Sequence, residues 1–166
     1  PKVTLTTGLR YSYNTLDATF DTTFIRFQYR NAELRDGALT GNAGLVYRPS
    51  EGWQLNGNIS TGYRMPNVDD IGKLFESVPG NITIPNPDLT PEYAWNFEAG
   101  IIKHIPNKFR IELNVFHTIL NDAIVRRPTT FNGEDSILFT GVLSRVEALQ
   151  NVAKATVSGL QISGEV

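Results

Sequence analysis

Five stretches of this chain alternate apolar and polar residues with a period of two for nine to eleven residues each. In 3–13, Val3, Leu5, Thr7, Leu9, Tyr11 and Tyr13 fall opposite Thr4, Thr6, Gly8, Arg10 and Ser12. The same two-faced pattern recurs in 39–47, 53–63, 93–101 and 109–119. Successive side chains of a strand point to opposite faces, so each stretch reads as a strand with one oily and one polar side. No segment carries a convincing helical period, and the expected fold is all-β, an antiparallel meander of long strands.

A sixth strand is expected in 151–166, where Leu160, Ile162 and Val166 put the even positions outward and Gly159 is a candidate bulge. Residues 24–29 alternate weakly. Two connections are tight, Pro49-Ser50-Glu51-Gly52 and Ile105-Pro106-Asn107-Lys108. The others, 14–37, 65–91 and 121–150, are expected to be long loops, with a small hairpin inside the first. Soluble domains seldom carry several structureless loops longer than about 15 residues, whereas membrane barrels have short turns on one side and long loops on the other.

Three features favour lipid over a protein core as what the oily face touches. The runs match the ~9–11 residues that a tilted strand needs to cross a bilayer, against ~5–6 for soluble strands. Across the five runs that face carries no Lys, Arg, Asp or Glu. Its aromatic residues sit near strand ends, at Tyr11, Tyr13, Tyr47, Trp53, Tyr63, Tyr93, Trp95 and Phe109, as in an interfacial girdle. The opposite face, rich in Thr, Ser, Asn, Gln and Gly, suits a water-filled or plugged lumen.

Composition removes several functional classes. Fifteen basic and 17 acidic residues give a net charge of −2, without the basic stripe of a nucleic-acid binder. Cysteine is absent, so disulfides, thiolate metal sites and thiol nucleophiles are excluded. There is no phosphate-cradling glycine loop, no His-Glu-x-x-His and no nucleophile elbow, so no catalysis and no cofactor are expected.

The stretch TGYRMPNVDDIG (61–72) resembles the strand-end motif of TonB-dependent outer-membrane receptors, with Tyr63, Arg64, Pro66 and Asn67 before a polar loop. IPNPDLTPEYAWNFEAGI (84–101) resembles their next signature through Asn86, Pro87, Leu89, Pro91 and Glu92, followed by Glu98 and Gly100 on a strand. TGLRYSY, GLVYRPSEGWQLNGNIS, NDAIVRRP and NVAKATVSGLQISGE resemble further strands of the same wall in the same order. The resemblance implies a segment of a 22-stranded transmembrane barrel in the outer membrane of a Gram-negative bacterium. It also implies energised uptake of a scarce nutrient of the siderophore-iron, cobalamin or glycan class. The implied partners are outer-membrane lipid, a plug domain, TonB and a nutrient ligand of unknown identity. The plug, the TonB-contact segment and the C-terminal strands are expected outside these 166 residues, with 1–166 a single barrel segment. An isolated segment of six spanning strands leaves two open edges and is expected to self-associate through them. A passive porin-like or adhesin barrel and a soluble β-domain binding a small apolar ligand are the alternatives.

Individual residues carry weaker signals. Asp69 and Asp70 sit in a ligand-side loop without the spacing of a calcium loop, so solvated charges outweigh a metal site. Arg126 and Arg127 are candidates for an anionic ligand, against a loop-pinning pair. His104 and His117 lie in no metal spacing. Glu98 and Glu112 face inward and, with Arg110 and Arg64, are expected to form lumenal ion pairs.

Overall fold

A computed structural model describes residues 1–19, 23, 30–72 and 74–166. Its elements, in chain order, are β1 (Val3–Thr19), β2 (Asn31–Tyr47), β3 (Trp53–Arg64), α1 (Val68–Gly72), β4 (Phe75–Val78), β5 (Asn81–Ile84), β6 (Glu92–Ile105), β7 (Phe109–Pro128), β8 (Ser136–Phe139) and β9 (Val142–Glu165). The nine strands form a single sheet in the order β1-β2-β3-β6-β7-β9-β5-β4, with β8 also paired to β9. The six long strands pair antiparallel with their chain neighbours, as in a meander.

Register brings the oily faces together. Leu55 lies opposite Ile101, Ile101 opposite Leu113 and Leu113 opposite Ile162, so one row crosses four strands. The next row runs from Gly57 through Ala99 and Val115 to Leu160. A one-residue slip anywhere would send a whole strand's apolar set to the wrong side. Among the described residues no second layer covers this surface: Leu9 is 78% exposed, Tyr11 67%, Ile162 67% and Leu160 61%. At the tight-turn end Lys103 lies 4.5 Å over the Trp53 ring. That is an amphipathic pair of the kind that sits where hydrocarbon meets water.

Both tight turns form where proline and glycine place them. Gly52 adopts φ +73° and Asn107 φ 58°, conformations that β-branched residues avoid. Trp53 N–H donates to Ser50 C=O at 3.2 Å and Lys108 N–H to Ile105 C=O at 3.1 Å.

The described parts of the three long loops are more ordered than the sequence suggests. In 14–37 the β1–β2 ladder continues without a break to Thr19 opposite Asn31. The reason is a change of phase. Below Tyr13 the odd residues are oily and point outward. Above it the even residues are oily, so Leu16 and Leu34 form one opposed pair and Ala18 and Ala32 another, while Asp17, Glu33 and Arg35 take the outer face. Arg35 bonds Glu33 at 3.1 Å and lies 3.8 Å from Asp17. The small hairpin expected at 24–29 lies outside the described residues. The 65–91 segment contains α1 and the β4–β5 hairpin, and α1, at five residues, is too short to show a period. The 121–150 segment is mostly ladder: β7 runs to Pro128 and β9 begins at Val142.

Gly159 is not a bulge. It lies in register opposite Phe116, whose ring occupies the space that a Cβ would need. The irregularities lie elsewhere: an extra residue in β7 between Leu120 and Ala123, where Asp122 has φ 55°, and one in β9 at Val152, between Asn151 and Ala153. Among the described residues, β1 has no strand on its far side, and β9 has none beyond the Arg145–Ala148 stretch that pairs β5.

Substitution separates the two faces. Val115→Arg on the oily face should destabilise the membrane-inserted barrel by roughly 2–4 kcal/mol. Gln161→Arg on the polar face should cost less than about 1 kcal/mol, the range of ordinary tolerated changes. Urea unfolding of the intact barrel in vesicles, followed by its heat-modifiable gel mobility, measures both.

Candidate functional site

The signature residues converge at the loop end of the sheet. Arg64, the last residue of β3, lies opposite Glu92, the first of β6, and a cross-strand pair of opposite charge meets there. Its Nε donates to Glu92 and its Nη1 donates to Asp70 at 2.7 Å. The Glu92 side chain is only 10% exposed. Its second oxygen accepts from the Ile124 backbone N–H at 2.6 Å. The β6–β7 ladder stops at Tyr93–Asn121, just before the bulge. The carboxylate therefore supplies an acceptor where β6 has ended, and it satisfies a half-buried N–H whose loss of a partner would cost about 1–3 kcal/mol.

Asn67 and Asp70 build the start of α1. Asn67 Oδ1 accepts the Asp70 N–H at 2.9 Å, and Asp70 Oδ2 accepts the Asn67 N–H at 3.0 Å. This reciprocal arrangement is a capping box, with Asp in the place of Glu. Pro66 is buried and supplies no ladder donor, which ends β3 at Arg64. The helix then delivers Ile71, which is fully buried.

Ile71, Leu89 and Ala32 form a small apolar core, with Leu16, Ala18, Ile124 and Leu149 packed on it. These wall residues share the inner face of the upper strands. The phase change in β1 and β2 thus has a purpose: it offers an oily seat to the incoming loop. The 65–91 segment also joins the sheet through its hydrogen bonds, because β5 pairs parallel to β9 from Asn81–Arg145 to Ile84–Ala148.

Asn86 begins a strap that runs to Glu92. Its backbone N–H donates to Ile71 C=O at 3.0 Å, and its Nδ2 donates to Leu149 C=O at 2.7 Å. Its Oδ1 accepts the Asp88 N–H at 3.1 Å, which closes an Asx turn around Pro87. Asn151 on β9 is the residue that sequence reasoning missed. Its Oδ1 accepts the Thr90 N–H at 2.9 Å, and its Nδ2 donates to Thr90 C=O and to Asp122 C=O, both at 2.8 Å. Nothing in its local sequence separates it from any other polar strand residue. Only the topology brings Thr90 across to it.

Other expectations fare variously. Tyr63 leaves the outer girdle: its hydroxyl accepts from Asn14 Nδ2 at 3.0 Å on the inner side of β1, and its ring lies 6.2 Å from that of Tyr93. Nearby, Thr61 Oγ1 accepts the Gly41 N–H at 2.9 Å, where the β2–β3 ladder has ended. Gly100 lies between the side chains of Asn56 and Asn114, and a Cβ there would strike the first and come within 3.1 Å of the second. Glu98 accepts from Asn96 Nδ2 at 2.8 Å, and Arg110 bonds Glu112 at 3.0 Å along its own strand. The expected inward ion pairs thus form within β7 and at Arg64 with Glu92, rather than around Glu98. Asp69 and Arg127 are exposed, while Arg126 lies 3.9 Å from Glu147. Among the described residues, neither arginine pairs with Asp69 or Asp70. A recess of about 380 Å³ lies beside the strap, lined by Pro85, Asn86, Asp88, Thr130, Phe131 and Gln150 among others.

A wall of long antiparallel strands, oily on one side and polar on the other, with an inward-folded loop at one end, is the architecture of a transmembrane barrel segment. The family model described as TonB dependent receptor-like, beta-barrel matches residues 1–166, and the chain belongs to that family. Transferrin-binding protein A of Neisseria meningitidis serogroup B is 26% identical over 153 residues, 86% of this chain and 16% of that protein. The iron-regulated outer membrane virulence protein of Vibrio cholerae serotype O1 is 32% identical over 75 residues, 45% of this chain and 12% of its own length. Among solved structures, the Serratia marcescens hemophore receptor HasR, in complex with HasA and heme, superposes with a TM-score of 0.69 at 18% identity. That match covers 99% of this chain and 29% of HasR. The ferric enterobactin receptor PfeA of Pseudomonas aeruginosa also superposes at 0.69, with 19% identity, over 96% of this chain and 21% of its own. The chain therefore spans about an eighth to a sixth of the length of these curated relatives.

The Glu92 node yields a graded expectation. Glu92→Ala leaves the Ile124 N–H and one side of Arg64 without an acceptor and should lower stability by ~1–3 kcal/mol. Glu92→Gln keeps an oxygen for Ile124 and should lose less than half as much. The urea midpoint of the intact barrel ranks the two, and equal losses would contradict the surrogate-acceptor role.

Proposed function

We propose that this chain is part of the wall and outer loops of an outer-membrane receptor for TonB-energised uptake of an iron carrier. The observation that carries the reading is the match of the family model to the whole chain. The names of the relatives support iron as the nutrient, since they concern transferrin, iron regulation, heme and ferric enterobactin. Cobalamin and glycans are the competing cargoes. In this reading the oily face meets outer-membrane lipid. The polar face meets a plug domain, and the 65–91 and 121–150 segments stand on the ligand side with Asp69, Asp70, Arg126 and Arg127. TonB acts on the plug rather than on this wall. The open edges of β1 and β9 fit a segment whose neighbours complete the barrel, and the segment alone is expected to associate through those edges.

Uptake by a strain deleted for the parent gene tests the proposal. The deletion strain should fail to take up label from one of three iron sources (a ferric catecholate siderophore, heme or iron-loaded transferrin), with cobalamin uptake unchanged. The parent strain should lose the same uptake when its proton-motive force is collapsed. Uptake that survives collapse would point to a passive porin-like barrel, and a defect confined to cobalamin or a glycan would overturn the iron assignment.

A further inference from the structure

The strap Asn86–Glu92 crosses the inner wall with an unusual density of ties for a loop. Asn86 is held to the wall at Leu149, Thr90 at Asn151, and Glu92 at Arg64 and Ile124. Leu89 is 1% exposed, and Pro87 and Pro91 restrict the backbone on either side of it. The Asn151 carboxamide is the centre of this set. A carboxamide carries one acceptor oxygen and two donor hydrogens on one planar group. Here the oxygen takes the Thr90 N–H, and the nitrogen serves the Thr90 and Asp122 carbonyls. The side chain thus reproduces what a neighbouring strand would offer Thr90, and it fastens the strap to the β7 bulge by the same group.

We propose that Asn151 is a positioning residue that makes Asn86–Glu92 a fixed strap, so that any movement of the 65–91 segment during uptake is confined to the part before Asn86. The proposal rests on reading that segment as ligand-side, but the strap's fixity is a property of the ligand-free barrel. Three features support the division. The strap is bonded through side chains that leave β9, β6 and β3. The part before it presents α1 with only Ile71 fully buried, and Val68 is 57% exposed. The β4–β5 hairpin, by contrast, joins the sheet along one edge, through the four-residue pairing of β5 with β9 and the Arg145 N–H to Gly80 C=O hydrogen bond, and β4 ends the strand order.

Spin labels attached to cysteines at Asp88 and, separately, at Val68 of the intact receptor in lipid vesicles test it without ligand. The Asp88 label should report a slow, single environment and the Val68 label a faster one. Asn151→Ala should raise the Asp88 label mobility several-fold and leave a control label on Gln161 unchanged. Asn151→Asp keeps the acceptor but puts a carboxylate against two carbonyls, and it should free the strap as fully as alanine does. Three results would each overturn the proposal: a mobile Asp88 label in the unmodified receptor, an unchanged label in Asn151→Ala, or an equal change at Gln161, which would mean that Asn151 holds the wall rather than the strap. Absence of iron uptake by the unmodified receptor would count against the receptor reading and leave this one standing.

Discussion

The rest of the structure depends on a surface that the chain leaves uncovered. Leucine, isoleucine, valine and aromatic side chains line up across six strands and meet no other layer of the described chain. In water such a surface would drive association or collapse, because burial of apolar area is worth roughly 25 cal/mol per Å². In hydrocarbon the same surface is at rest. The backbone then has no water to pair with, and continuous ladders answer that need by satisfying each N–H and C=O between strands. Long strands, one-residue register and charge confined to one face all follow from this single choice of solvent.

The boundary of that solvent is written in the phase of the alternation. In β1 and β2 the oily positions change from odd to even above Tyr13 and Gly37, and ion pairs involving Asp17, Glu33 and Arg35 take over the outside. Above that line the two strands continue as a ladder whose inner face is the oily one. This inner seat receives Ile71 and Leu89, so the loop is part of the fold and not an appendage of it. The Arg64–Asp70–Glu92 cluster, the Asn67 cap and the Asn151 carboxamide supply the polar ties around that seat. The signature residues therefore serve architecture first. Their spacing encodes how a strand end, a helix cap and a returning strap share one corner.

Much of the wall was legible in the residues, and the reasons are local. Residues 53–63 and 109–119 alternate in a single phase, and Pro49–Gly52 and Ile105–Lys108 carry the residues that tight turns demand. The extensions were not legible, because a strand that changes phase at Asn14 looks like the end of a strand. Gly159 suggested a bulge because glycine does so in general, yet here it makes room for Phe116. The bulge at Asp122 lacks a glycine and rests on Glu92 and Asn151, which lie 30 residues before it and 29 after it. The site divides in the same way. Arg64, Asn67, Asn86 and Glu92 stood out through their motif, while Asn151 needed the topology to give it a partner.

Site-directed spin labelling along β9 is the most direct test of the lipid-facing surface. Single cysteines at 156–165 in the intact receptor, reconstituted in lipid vesicles, would be probed with oxygen, which concentrates in hydrocarbon, and with a water-soluble nickel chelate. Oxygen accessibility should peak at the even positions, Leu160 and Ile162 among them, and fall at the odd ones, with period two. A flat profile, or chelate access at Leu160 and Ile162 equal to that at Gln161 and Ser163, would contradict the account.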